Sequence, residues 1–163
     1  MAKPNEAIIP LSLSQSLKDT FQIQLSLPIK VTAEATNAAE ALKATAALDV
    51  VSMMGLKCTV FTGSLALGFP KNTFLKIVET MLGEVYTEVS AQNADACSEL
   101  LNMIYAGARV KINEAGFDFQ PAIPTTVSGK EISLPMGQHT TFLRFLCETE
   151  RGSFLLALSL KRS

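Results

Sequence analysis

Asp95, Glu99 and Asn102 stand at i, i+4 and i+7, and at about 100° per residue of α-helix they share an arc of about 60°. Two carboxylates and a carboxamide on one stripe can accept hydrogen bonds, pair with a cation or hold a water. None of the three is a ready nucleophile. Ala96, Cys97, Leu100, Leu101, Met103, Ile104 and Gly107 fall on the opposite side of the same wheel, so the core face is complete without the stripe. A polar stripe opposite an apolar face is also what any amphipathic helix shows. Asn102 departs from that plain reading, because Asn is a poor helix former usually found at caps and turns. Here it sits mid-helix, with no structural task that periodicity can name.

Other catalytic equipment is scarce. Histidine occurs once, at His139, and the three cysteines, Cys58, Cys97 and Cys147, are widely spaced. A zinc site needs about four ligands with at least one close local pair, which this spacing does not offer. The cysteines fall at core positions and read as reduced, buried thiols. His139, beside Gly137-Gln138 at a strand edge, reads as solvated, and a Ser-His or Cys-His nucleophile would rest on it alone. Gly63-Ser64 lacks the Lys-Ser/Thr partner of a phosphate-binding loop. Met53, Met54, Met81 and Met103 sit at core spacing and need no cofactor. The net charge is −1, with no basic run, which argues against nucleic acid as a partner. No apolar run approaches the ~18 residues of a membrane span, so the chain is expected to be cytoplasmic.

The elements that must position the stripe follow from periodicity and punctuation. The 163 residues fit one domain, at roughly 100–200 residues each. Hydrophobic residues make up 48% and charged residues 18% of the chain, against a usual charged share of about 25%; the excess points to an apolar interface. Leu13, Leu17 and Phe21 at four-residue spacing after Pro10 predict a helix over 10–25. Residues 28–32 read as a short strand. The alanine-rich stretch 33–47 favours helix by propensity but offers little area to pack. From Asp49 the period changes to two, predicting a hairpin over 49–68 with its turn at Gly55-Leu56-Lys57. Pro70 opens a second helix whose Phe74, Ile77, Val78, Met81 and Leu82 keep helical spacing, and Gly83 stops it. Residues 85–89 suggest a short strand. The third helix, capped at Asn93 or Asp95, continues to about Asn113.

Beyond that helix Phe117-Asp118-Phe119 reads as extended, and Pro121, Pro124 and Ser128-Gly129 mark a loop to about Gly137. A last hairpin pairs 139–149 with 153–161 around Glu150-Arg151-Gly152. Both of its faces are apolar, so it lies between two layers: helices cover both sides of the sheet, or a second subunit covers one. Helix, extended segment and hairpin occur over 10–68 and again over 93–161. The expected fold is therefore α/β, a mostly antiparallel sheet packed with two long helices in a pseudo-duplicated arrangement.

The string Asp95-Ala-Cys-Ser-Glu99-Leu-Leu-Asn102-Met103-Ile104 resembles the D/S-x-x-x-E-x-x-N signature of the CheC/CheX/FliY family of chemotaxis phosphatases. Pro121 to Gly129 resembles the proline-bearing segment after that family's helix, and Gly63-Ser-Leu-Ala-Leu-Gly-Phe-Pro70 with Met81-Leu82-Gly83 resembles its Gly-Ser strand and helix end. The matches span roughly 49–161 and are most similar to CheX members. Two-site members carry a second E-x-x-N on the first helix; the nearest register here, Ser14-x-x-x-Lys18-x-x-Phe21, has neither acid nor amide, which implies one site. The family's Gly four residues after the Asn is Ala106 here, with Gly107 next.

The resemblance implies hydrolysis of the aspartyl phosphate of a CheY-type response regulator. The regulator would supply the phosphorylated aspartate and a bound Mg²⁺, so this chain would need no cofactor of its own. Asn102 would hold a water in line with phosphorus, as an amide can without acting as a base. Glu99 would pair with a cationic side chain of the regulator, and Asp95 would support that docking or cap the helix. The resemblance also implies a homodimer formed through the sheets. Two other readings compete. One is a non-catalytic module of the same fold that binds a response regulator or flagellar-switch component; the other is an interaction domain with a closed apolar pocket for a small molecule.

Overall fold

A computed structural model describes residues 3–37, 39–41, 47–132 and 141–163. In chain order these form α1 (Ile8–Leu25), β1 (Lys30–Thr36), β2 (Val50–Lys57), β3 (Phe61–Phe69), α2 (Lys71–Leu82), α3 (Ala91–Glu114), β4 (Thr125–Ser128), β5 (Thr141–Thr149) and β6 (Gly152–Arg162). The six strands make one sheet in the order β1-β5-β6-β3-β2-β4, and every neighbouring pair is antiparallel. Read from either edge the order is the same once β1, β2 and β3 are exchanged for β4, β5 and β6. The registers agree with that exchange. Val50↔Phe69 in the first hairpin takes the place of Thr141↔Leu160 in the second, and Thr36↔Phe142 takes that of Val127↔Val51. The duplication expected from the order of elements is present in the topology.

All three helices bury their apolar sides in one core on one face of the sheet. Phe21 of α1 stacks on Phe154 of β6 at 4.8 Å between ring centroids, Phe154 on Phe69 of β3 at 4.7 Å, and Phe69 meets Phe74 of α2 at 5.6 Å. This aromatic row ties two helices to the two central strands, as offset and tilted ring pairs can. α1 and α3 lie against each other where Ser16 donates to the Ile104 carbonyl at 2.6 Å. A Cβ on Gly107 would stand 2.7 Å from Ser16 Oγ, so glycine is what permits this approach.

The other face carries a smaller cluster: Val51, Ala66, Phe142, Leu155 and Ala157, covered by Ala41 and Leu48 and flanked by Ile132 and Leu146. Leu48 lies over Gly68, where a Cβ would meet its Cδ1 at 2.7 Å. The two-sided apolar hairpin is thus real; helices on both sides were one expectation, but among the described residues the second face is packed by Ala41, Leu48 and Ile132 of the connecting segments and by no helix. Ala33 to Thr36, expected as helix, continue β1 instead. Pairing with β5 and the Glu34–Arg144 ion pair outweigh the weak helical preference of Ala and Glu. Positions 38 and 42–46 of that stretch lie outside the described residues.

Other boundaries moved for identifiable reasons. Gly55 is a strand residue opposite Ser64; the turn lies at 58–60, closed by the Cys58 N–H on the Phe61 carbonyl at 2.8 Å. Residues 85–89 form no strand. Thr125 to Ser128, expected as loop, pair with β2 as an edge strand directly after Pro124, a position that tolerates proline. α2 matches its expected limits, with Gly83 at φ 73° ending it. No helix among the described residues is long and apolar enough to cross a membrane.

Candidate active site

The core-facing side of α3 sets the site. Ala96, Cys97, Leu100, Leu101, Ile104, Tyr105 and Ala108 are buried, which fixes the helix's rotation and turns Asp95, Glu99 and Asn102 to solvent together. Among the described residues none of these three side chains has a hydrogen-bond or ion-pair partner. An acid and an amide at i and i+3 on one face, both with their full bonding capacity free, can engage a ligand without first breaking an internal contact.

Asp95 does not cap the helix. The N-cap is Ser90, whose backbone N–H donates to Asn93 Oδ1 at 2.9 Å, while Asn93 Nδ2 donates to the Glu88 carbonyl at 2.9 Å. Neither expected residue is thus the N-cap: Asn93 sits at N3 and supports Ser90 from inside the first turn, and Asp95 lies a turn inside the helix on the exposed stripe.

Three anchors that periodicity does not reveal hold α3 in place. Ser98 Oγ lies 3.3 Å from Ser52 Oγ of β2, Thr126 Oγ1 of β4 lies 2.6 Å from Ser52 Oγ, and Ser98 and Thr126 are also hydrogen-bonded. Each hydroxyl in this ring can donate once and accept once, so the ring is satisfied and pins α3 one residue before Glu99. Near the helix's end, Asn113 holds Phe119 at both backbone groups, accepting its N–H at 2.9 Å and donating to its carbonyl at 3.0 Å. Tyr105 donates to the Gln120 carbonyl at 2.5 Å, and burial pushes its phenol up to about 12. A serine one step from a stripe acid is a weak signal by itself; its partners are 46 and 28 residues away.

The cysteines are core residues as expected. All three are free and buried; burial pushes the Cys97 thiol up to about 12 and raises that of Cys147, so neither is a thiolate nucleophile at neutral pH. His139 lies outside the described residues. Among those described, no three His, Cys, Asp or Glu side chains are close enough to hold a metal ion.

The first helix is organised differently from the register expected for it. Phe21 is 0% exposed and belongs to the aromatic row, so the Ser14, Lys18 and Phe21 alignment mixes surface with core. Carried onto the helices, the strand register sets Ile8 and Leu11 in the places of Glu99 and Asn102. Neither is an acid or an amide, so α1 has no second acid–amide pair at the symmetric position. Ala106, one turn beyond Asn102, is exposed, and the close-approach glycine is Gly107, directed at α1.

The family model for the chemotaxis phosphatase CheX matches residues 50–148. No curated protein matches the chain. Among solved structures, the chemotaxis protein CheX of Vibrio vulnificus is similar at TM-score 0.83 and 23% identity, covering 94% of this chain and 99% of that one. A chemotactic CheC-like protein of Shewanella oneidensis gives 0.84 and 22%, over 96% and 100% of the two chains. A CheX-CheY-BeF3-Mg²⁺ complex of Borrelia burgdorferi gives 0.71 and 14%, over 94% and 97%.

Proposed function

The chain belongs to the CheX family of chemotaxis phosphatases, and on that premise we propose that it removes the phosphoryl group from the aspartyl phosphate of a CheY-type response regulator. One observation carries the reading: Glu99 and Asn102 project together from a helix whose rotation is fixed by its core face, with no partner for either among the described residues. The Borrelia burgdorferi relative was captured with CheY, BeF3 and Mg²⁺, which supports a receiver as the partner here.

An aspartyl phosphate already has a good leaving group, so catalysis of its hydrolysis is mainly positioning and electrostatics. Asn102 orients the attacking water toward phosphorus through its carboxamide. Glu99, one turn earlier, accepts a charge-assisted hydrogen bond from a cationic side chain of the receiver and sets the docking register. Asp95 extends the same acidic edge and assists docking. Mg²⁺ is the receiver's, and no residue of this chain is assigned to hold it. The reaction takes place in the cytoplasm, where receivers operate. A homodimer formed through the sheet belongs to the same proposal; β1 and β4 end the sheet at its two edges, and a monomer in dilute solution by light scattering contradicts that part.

The testing experiment adds the purified protein to a phosphorylated CheY-type receiver and follows phosphate release with time. Acceleration over the receiver alone is expected. Binding without acceleration identifies the non-catalytic module instead. Glu99→Ala is expected to weaken binding and slow turnover together, and unchanged affinity and rate contradict its docking role.

A further inference from the structure

Beside the acid–amide stripe, α1 and α3 enclose an open groove of about 340 Å³ whose walls include Ser12, Asp19 and Ile23 from α1 and Met103, Ala106 and Lys111 from α3. It begins where the stripe ends. Met103 follows Glu99 by one turn and Ala106 follows Asn102 by one turn, and at about 1.5 Å per residue the groove runs from Asn102 to a point about 14 Å along the helix. Two features set it apart from ordinary surface. Ser12 is 3% exposed, and its hydroxyl is the buried polar side-chain group without a hydrogen-bond partner among the described residues. Buried hydroxyls are normally satisfied, and Ser12 is one of the residues that line the groove. Ile23, on the rim, is an isoleucine left 74% exposed.

We propose that this groove is the second half of the docking surface for the same phosphorylated receiver, taking a protruding segment of it whose backbone supplies the missing partner of Ser12 and whose apolar side chain covers Ile23 and Met103. The inference rests on the function proposed above. The occupant follows from size and continuity. A specific interface covers about 800 Å² per partner, a patch of about 16 Å radius, while three side chains on one stripe cover only a small part of it. A receiver whose phosphoaspartate meets Asn102 therefore lies over the groove as well. The short Ala106 side chain leaves the passage from stripe to groove open, and Asp19 and Lys111 give the groove one charge of each sign for the receiver's polar rim.

The test measures the Kd of the full chain for a purified CheY-type receiver activated with beryllofluoride and Mg²⁺, together with the melting temperature of each variant. Ser12→Ala is expected to weaken binding about three- to tenfold while the melting temperature holds or rises, because the hydroxyl it removes is unsatisfied in the free protein. Ile23→Ser is expected to weaken binding about tenfold, also without loss of stability. Leu11→Ser, an exposed position of α1 outside the groove, serves as the control and leaves the Kd unchanged. A Kd within twofold of wild type for both groove variants overturns the groove, and if Asn102→Ala still abolishes hydrolysis the phosphatase reading stands without it. Weakened binding in the groove variants with full hydrolysis by Asn102→Ala leaves the groove and removes the catalytic reading. A wild-type chain that does not bind the activated receiver overturns both.

Discussion

α1 and α3 occupy equivalent places in a duplicated topology, yet one is a structural helix and the other presents a site. α1 has 18 residues and ends at Ser26 in the left-handed region, at φ 50°. α3 has 24 residues and projects an acid and an amide that have no partners among the described residues. Both bury one face in the same core, so packing does not distinguish them. The difference lies in the outward positions. Where α3 carries Glu99 and Asn102, α1 carries Ile8 and Leu11, and Leu11 is left 66% exposed. A duplicated scaffold gives two places for a site; the polar types at two surface positions decide which place can do chemistry.

The first way to break that comparison is to weigh a core residue of α1 against a stripe residue of α3. Phe21→Ala is expected to cost about 3–5 kcal/mol, the usual range for deleting a buried phenyl ring, because Phe21 anchors α1 through Phe154. Glu99→Ala on α3 is expected to leave stability within about 0.5 kcal/mol, as for other exposed positions. Urea unfolding of both variants measures the contrast, and equal destabilisation would show that Glu99 is held by the fold and does not project free from it.

A middle-sized effect concerns the chain just beyond α3. Asn113→Ala removes both hydrogen bonds to the Phe119 backbone and is expected to cost about 1–3 kcal/mol in the same unfolding measurement, since the freed groups are partly buried. A loss under about 0.5 kcal/mol would mean that the segment after the helix is held by its phenylalanines and by the bonds of Gln120 to Tyr105 and Lys57.

The two hairpin turns sharpen the comparison further. The second is closed locally, with Thr149 accepting the Arg151 N–H at 2.9 Å and donating to the Gly152 carbonyl at 2.8 Å. The first has its local Cys58–Phe61 closure and is also held from afar: Asp118 accepts the Thr59 N–H at 2.8 Å and the Thr59 hydroxyl. Those two bonds hold the Asp118 carboxyl below its ordinary value. Its contribution to stability is therefore fully present above the unfolded value of about 3.9 and is lost as pH falls through the lowered folded value. Melting temperature against pH checks this. Thr59→Val is expected to make the acid limb shallower, and an unchanged limb would remove Asp118 from it. The smallest expected effect is that of Leu11→Asn, which gives α1 an exposed amide at the place equivalent to Asn102. Stability within about 0.5 kcal/mol of wild type is the expected outcome, and a larger loss would show that Leu11 packs against something.

Much of this was legible in the sequence where the signal is local. α2 declared itself through Pro70, its apolar spacing and Gly83, and the Asp95–Asn102 stripe needed only the helical wheel. The features that were not legible depend on partners distant in the chain. Thr125 to Ser128 carry no apolar alternation to speak of and become a strand because β2 offers them an edge. Ala33 to Thr36 are weak helix formers held extended by β5 and by the Glu34–Arg144 pair. Gly55 looked like a turn residue because glycine usually marks one, but its pairing with Ser64 is fixed by the closure at 58–60. At the site, the acid and amide were readable, while the Ser98–Ser52–Thr126 ring that pins their helix joins three elements far apart in sequence.

The central claim is that Asn102 orients the water that attacks phosphorus. Its most direct test is the rate of phosphate release from a phosphorylated CheY-type receiver saturated with wild type or with Asn102→Ala. The predicted result is a fall of about 10²–10³-fold, the scale of losing one transition-state hydrogen-bonding group, with the variant still folded and still bound to the receiver. Release at the wild-type rate by Asn102→Ala would contradict the account.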